Sequence, residues 1–328
     1  MSYTRTVLIT GGTSGIGYQA ALAIARLHPE TQVIVASRTD PNSTAATINS
    51  ILGQKNVTFL PLDLANFANI RTFAQHFSAS SYPPISHLIL NAVLQFTDKE
   101  IHKTADGIEA TFGVAHVGHA LLFHLLFPFL APKARILVIS SGTHDPAQKT
   151  GLPDAKYTSA QELAHPSRES AKKNTGRQRY ATTKLCNVLW TYALARRFAV
   201  LNEKEEERKL TVVAFDPGLT PGTGLAREAS GIEKFLWHRV MPHILPLIRL
   251  VAGSKNVHTA KVAGENMAFV AMGSEMEGTN GVYLEYKGEQ RKSSKASYEE
   301  EMQEELWAWT VKTVARDGEE VKKFDIGK

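Results

Sequence analysis

The chain has 328 residues and a single cysteine, Cys186. One thiol excludes an internal disulfide, and such scarcity fits a reducing compartment. No uninterrupted apolar run reaches the length needed to cross a bilayer. Only five residues precede the first strand-like segment, so no signal or transit peptide is expected ahead of it. These absences make the cytoplasm the default expectation. The formal net charge is +5, yet no Arg/Lys-dense stripe with interleaved aromatics occurs. That argues against a nucleic-acid partner, while a mild positive excess suits a polyanionic cofactor. Acidic metal ligands are missing around His116, His119 and His124, which sit in an otherwise apolar helical stretch. Core histidines are expected there, and no metal site.

Present instead is an ordinary globular balance, 43% apolar and 21% charged. Short Val/Ile/Leu-rich segments at 6–10, 32–37, 57–62, 87–91, 135–140, 211–215 and 281–286 read as strands covered on both faces. Helical patterns lie between them, as at 16–27, 47–52 and 67–77. Alternation of this kind predicts one α/β domain over 1–328, a doubly wound parallel sheet of about seven strands with helices on both faces. Three stretches stand outside it: a polar insertion at 142–179, a Gly/Pro-punctuated and then apolar segment at 219–255, and a helical extension at 297–328. In the last, Ser297 and Glu300 have capping-box spacing, and Tyr298, Met302, Leu306 and Trp309 are expected to share a face.

The first strand runs directly into Gly11-Gly12-Thr13-Ser14-Gly15-Ile16-Gly17. One glycine suits a sharp turn, another lets backbone N–H groups approach a pyrophosphate, and a third lets the next helix pack on the sheet. That helix would start near Gly15, with its positive end toward the phosphates. Far downstream, Tyr180 and Lys184 stand one helical turn apart. Either motif alone is weak. Together they point to hydride transfer rather than nucleotide binding alone.

In this order the motifs resemble those of the short-chain dehydrogenase/reductase superfamily, and within it the retinol-dehydrogenase and protochlorophyllide-reductase branch. The resemblance spans nearly the whole chain. It assigns the cofactor loop to Gly11, Thr13, Ser14, Gly15, Ile16 and Gly17, and the adenine contact to Asp63 and Leu64 after the third strand. Asn91 and Ala92 match the turn after the fourth strand, and Ser141 the catalytic serine after the fifth. Tyr180 and Lys184 match the catalytic pair, with Lys184 also holding the ribose. Pro217, Gly218 and Thr220 match the nicotinamide-side turn.

The chemistry also follows from the residue types. A lysine one turn away favours the phenolate and lowers the pKa of Tyr180, which can then exchange a proton with a carbonyl oxygen. Ser141 would hydrogen-bond the same oxygen as charge develops there. At the end of the second strand, Ser37 and Arg38 stand where an NAD enzyme usually carries an acid. A guanidinium can hold a 2′-phosphate, so NADP(H) is the expected cofactor.

Two positions depart from the family pattern. Ala115 replaces an asparagine that organises a water chain to the lysine, and Val93 replaces a glycine beside the cofactor. Slower turnover is the mild consequence, and a cofactor-binding sensor or scaffold the severe one. The segment 219–255 carries Phe235, Leu236, Trp237, Val240, Met241, Ile244, Leu245, Leu247, Ile248, Leu250 and Val251. So much apolar surface suggests a lid over a bulky hydrophobic substrate. A homo-oligomer interface, or peripheral membrane contact through 232–251, remains open. The expected reaction is reduction of a bulky apolar ketone or aldehyde, or its reverse; reduction of a carbon–carbon double bond is the alternative.

Overall fold

A computed structural model describes residues 3–252 and 256–327. The last three positions of the expected lid, 253–255, and the terminal residues 1, 2 and 328 lie outside the described residues. The strands are β1 (Arg5–Thr10), β2 (Thr31–Ser37), β3 (Val57–Pro61), β4 (Ile85–Leu90), β5 (Leu130–Ile139), β6 (Thr211–Phe215), β7 (Val282–Glu285) and β8 (Glu289–Arg291). They form one sheet in the order β3-β2-β1-β4-β5-β6-β7-β8. β1 to β7 pair in parallel, and β8 folds back antiparallel on β7 with Tyr283 opposite Arg291. β8 has no counterpart in the sequence reading. Its Glu-Gln-Arg side chains are all exposed, so no apolar period marks it.

Alternate residues of the central strands enter opposite helix layers, as the two-residue period of a strand requires. Val7, Ile9, Val33 and Val35 pack with Ala20, Ala21 and Ile24 of α1 (Gly15–Leu27) and with Ile48 of α2 (Thr44–Leu52). Leu8, Ile34 and Ala36 face the other layer, which includes Ile70 and Phe73 of α3 (Phe67–Ala79). Two long helices complete that layer, α4 (Ala110–Phe129) and α5 (Gly176–Lys204). Each fully buried Leu, Ile or Val contributes about 1.5–3 kcal/mol.

α4 is long and apolar enough to cross a membrane by length and composition, although no uninterrupted apolar run suggested this. Inside the fold 78% of its most apolar stretch is buried, as in a core helix. Its histidines go to separate places. His116 meets Thr310 at 3.0 Å, His119 meets Thr10 at 2.8 Å, and His124 stacks on Phe324 at 4.7 Å. Burial pushes each of the three down to about 3. The unfolded chain binds these protons below about pH 6.5 and the folded one does not until about pH 3. Stability should therefore drop as pH is lowered from about 6.5 to about 3, by up to about 1.4 kcal/mol per pH unit for each histidine. Urea unfolding at several pH values, with His124→Phe for comparison, reads this. The variant should show the shallower slope.

The C-terminal part departs from expectation at its start. Ser297 does not cap a helix: it lies in a 3-10 turn, Lys295–Tyr298, and its hydroxyl donates to the Ser294 carbonyl at 2.6 Å. The hydroxyls of Tyr192, Ser293 and Ser297 form one buried chain with links of 2.6 and 2.7 Å, and this claims the serine before it can cap. The final long helix, Glu300–Val314, begins after it and buries Leu306 and Trp307, while Tyr298 stays half exposed. This helix holds the polar insertion down. Tyr157 donates to Glu305, Trp309 donates to the Gln161 side chain at 2.9 Å, and Tyr157 and Leu163 pack against the core.

Candidate active site

The strand order reverses between β1 and β4, so a crevice opens beyond their C-terminal ends. At its floor Gly11 has φ +66°, and a Cβ on Gly17 would lie 2.4 Å from the Gly11 carbonyl oxygen. Glycine is thus required by backbone conformation at Gly11 and by close approach at Gly17. The loop is clamped from the next strand. The Asn91 side chain donates to the Thr10 carbonyl at 2.9 Å, and the Thr10 hydroxyl accepts from the backbone N–H of Asn91 and Ala92. His119 completes the clamp. Its Nδ1 donates to the Ala115 carbonyl at 3.2 Å, which leaves Nε2 to accept from Thr10. Ala115 thus keeps a backbone role within a π-turn, Gly113–Val117, although it has no amide side chain.

The crevice is a cavity of about 730 Å³. Thr13, Ser14, Gly15 and Ile16 line it beside Gly11 and Gly17. So do Ser37 and Arg38 after β2, Asp63 and Leu64 after β3, and Asn91 and Ala92 after β4. Ser141, Tyr180, Lys184, Pro217, Gly218 and Thr220 complete the same wall, so the cavity gathers all the candidate residues. Val93 lines it as well. The Ser37 hydroxyl is buried there with no hydrogen-bond partner among the described residues. An orphaned donor beside Arg38 fits a polar group of a dinucleotide.

Tyr180 and Lys184 project from α5, where both are buried. Lys184 donates to the Ile139 carbonyl at 2.9 Å, its ammonium 5.5 Å from the centre of the Tyr180 ring. Asn187 shares that carbonyl, and the Ser140 hydroxyl ties back to the Lys184 carbonyl. These bonds fix the helix against the end of β5, two residues before Ser141. The lowered phenol pKa expected from Lys184 does not occur in this setting. Burial and then the Asp216 carboxylate push the Tyr180 phenol well above its ordinary range, against a hydrogen bond with Ser141. Burial pushes Lys184 down to about 8, with Asp216 opposing.

Asp216, the residue just before the Pro217–Gly218 turn, is the main one that the motifs left without a role. It is buried, and four donors converge on it: the N–H groups of Gly142 (2.9 Å) and Gly218 (2.8 Å), the Asn256 amide (3.0 Å) and the Tyr283 hydroxyl (3.3 Å). One side chain therefore joins the turn after Ser141 to the Pro217–Gly218 turn. An acid ending an apolar strand was the available signal. A second missed residue is Arg227, which lines the cavity; burial and then nearby Arg38 push its guanidinium below the ordinary range.

The apolar residues expected to form a lid mostly face away from the cavity. Of its eleven expected residues, Trp237 alone among the described residues lines the cavity, its indole donating to the Thr223 carbonyl at 2.9 Å. Phe235, Leu247, Leu250 and Val251 point to solvent. The insertion contributes Gln148 to Leu152 and Arg177 to the cavity's rim.

A dinucleotide crevice at the switch point of a parallel sheet, continuous with a Ser–Tyr–Lys cluster, defines a nicotinamide-dependent oxidoreductase. The family model described as short chain dehydrogenase matches residues 5–159. The chain is 30% identical to human polyprenol dehydrogenase, over 93% of this chain and 83% of that protein. It is 28% identical to the chloroplastic protochlorophyllide reductase of Pisum sativum, over 91% of this chain and 73% of that one. Among solved structures, the NADPH-bound carbonyl reductase from chicken fatty liver shares the fold at a TM-score of 0.57 and 18% identity, over 88% of this chain and 99% of that one. The chain belongs to the short-chain dehydrogenase/reductase superfamily, in the branch that holds these two relatives.

Proposed function

We propose that the protein is an NADPH-dependent oxidoreductase that reduces the carbonyl of a bulky apolar ketone or aldehyde, or oxidises the matching alcohol. The observation that carries this reading is the convergence of Ser141, Tyr180 and Lys184 on the cavity that also takes in the glycine loop and the Ser37–Arg38 rim. The nicotinamide, when bound, supplies or accepts the hydride. Tyr180 holds the proton at its phenol oxygen and exchanges it with the substrate oxygen. A phenol kept protonated by burial suits the reductive direction. Ser141 steadies that same oxygen. Lys184, held between Ile139 and the field of Asp216, serves the ribose side.

NADPH is favoured over NADH by two guanidiniums, Arg38 and Arg227, on the rim beside the orphaned Ser37 hydroxyl. Arg38→Ala should raise KM for NADPH about tenfold or more and leave NADH nearly unchanged. Equal effects on both cofactors would refute the phosphate role. The substrate class is supported by Val93, Leu94, Leu152, Leu225 and Trp237 along the cavity, and by a relative named for an isoprenoid alcohol. The likeness to protochlorophyllide reductase supports a second reading, reduction of a carbon–carbon double bond. NADPH consumption against bulky aldehydes, ketones and enones tests both readings, with product analysis separating alcohol from saturated carbonyl. The lone thiol, Cys186, is fully buried, and a reducing cytosolic setting suits it.

A further inference from the structure

The segment after β6 carries two helical pieces. Gly231–Phe235 continues through a π-turn, Leu236–Val240, and Leu245–Ala252 follows. On the first, Ile232, Phe235 and Leu236 are 77%, 60% and 44% exposed; on the second, Leu247, Leu250 and Val251 are 55%, 79% and 80% exposed. Both sets have i, i+3, i+4 spacing, so each helix turns one apolar stripe outward. Their inner sides are engaged: Trp237 lines the catalytic cavity and Leu245 is buried. An apolar lid folded over its own pocket would have the reverse orientation.

Charge identifies the occupant. From position 234 to 251 the ionisable residues are Lys234, His238, Arg239, His243 and Arg249, with no Asp or Glu. The acid just before them, Glu233, is paired with Arg177 at 2.6 Å. Apolar stripes flanked by positive charge match the headgroup–acyl boundary of an anionic bilayer. A second copy of the same face would bring like charges together.

We propose that this outer face docks on an anionic lipid bilayer and sets the mouth of the catalytic cavity at the membrane surface. An apolar substrate dissolved in the bilayer then reaches the cavity past Trp237 without crossing water. That delivery role rests on the reductase reading, whereas the docking does not.

Sedimentation of the full chain with vesicles of phosphatidylcholine, alone or mixed with phosphatidylserine, tests the docking without using turnover. Binding to the anionic vesicles should exceed binding to the neutral ones about tenfold or more and weaken with salt. The variant Phe235→Glu/Leu250→Glu should stay in the supernatant while keeping wild-type NADPH binding and thermal stability. If it loses stability, Lys234→Glu/Arg239→Glu gives the same reading from the charge side. Wild-type protein that stays in the supernatant with both vesicles overturns the docking. So does equal partitioning of wild type and a folded variant, or a dimer abolished by the variant in place of vesicle binding. Loss of turnover with vesicle binding intact would instead count against the reductase reading.

Discussion

Tyr180→Phe is expected to lower kcat/KM for carbonyl reduction by about a thousandfold and leave NADPH affinity nearly unchanged. The phenyl ring keeps its buried place on α5, beside Lys184 and above the end of β5. Only the oxygen that exchanges the proton is lost. Steady-state kinetics with cofactor titration separates the two quantities, and a variant that retains most of its kcat/KM would remove Tyr180 from the chemistry. The pH profile gives a second check. Lys184 carries its charge below about 8 and loses it above, so kcat/KM should decline as pH rises through that value. Its stability contribution runs the other way. The unfolded lysine keeps its proton to about 10.4, so this group's penalty is relieved as pH rises from about 8. Activity falling while stability holds or rises would set the titration apart from simple unfolding.

Asp216→Ala should destabilise the fold by about 3 kcal/mol or more and cut kcat/KM as well, because it leaves buried N–H donors without an acceptor. Asp216→Asn should cost about 1–3 kcal/mol rather than nothing. The two carboxylate oxygens each accept an N–H, one from Gly218 and the other from Gly142 and Asn256. An amide can serve one side only and turns a donor against a donor on the other. Urea unfolding reads the stability. If Asp216→Asn were as stable as wild type with an unchanged pH profile, Asp216 would have no positioning role between the Ser141 and Gly218 turns.

The sheet was legible because each central strand is a continuous apolar run, and a run covered on both faces leaves little choice of structure. β8 was not, since three exposed polar residues carry no period. The candidate site was legible through local spacing: the glycine loop depends on φ and close approach at Gly11 and Gly17, and Tyr180 and Lys184 share one helix face. The capping box at Ser297 misled because a buried hydroxyl chain through Tyr192, more than a hundred positions away, competed for that serine.

The sequence by itself determined the α/β class, the place of the dinucleotide loop and the pairing of Tyr180 with Lys184, since all three follow from patterns within a few residues. Tertiary structure alone decided three other things. It brought Asp216 between two turns, set Arg227 beside Arg38, and turned the apolar stripes at 232–251 outward rather than over the cavity. Each depends on which elements meet in space. Composition shows that a segment is apolar, but not which side of it faces the protein.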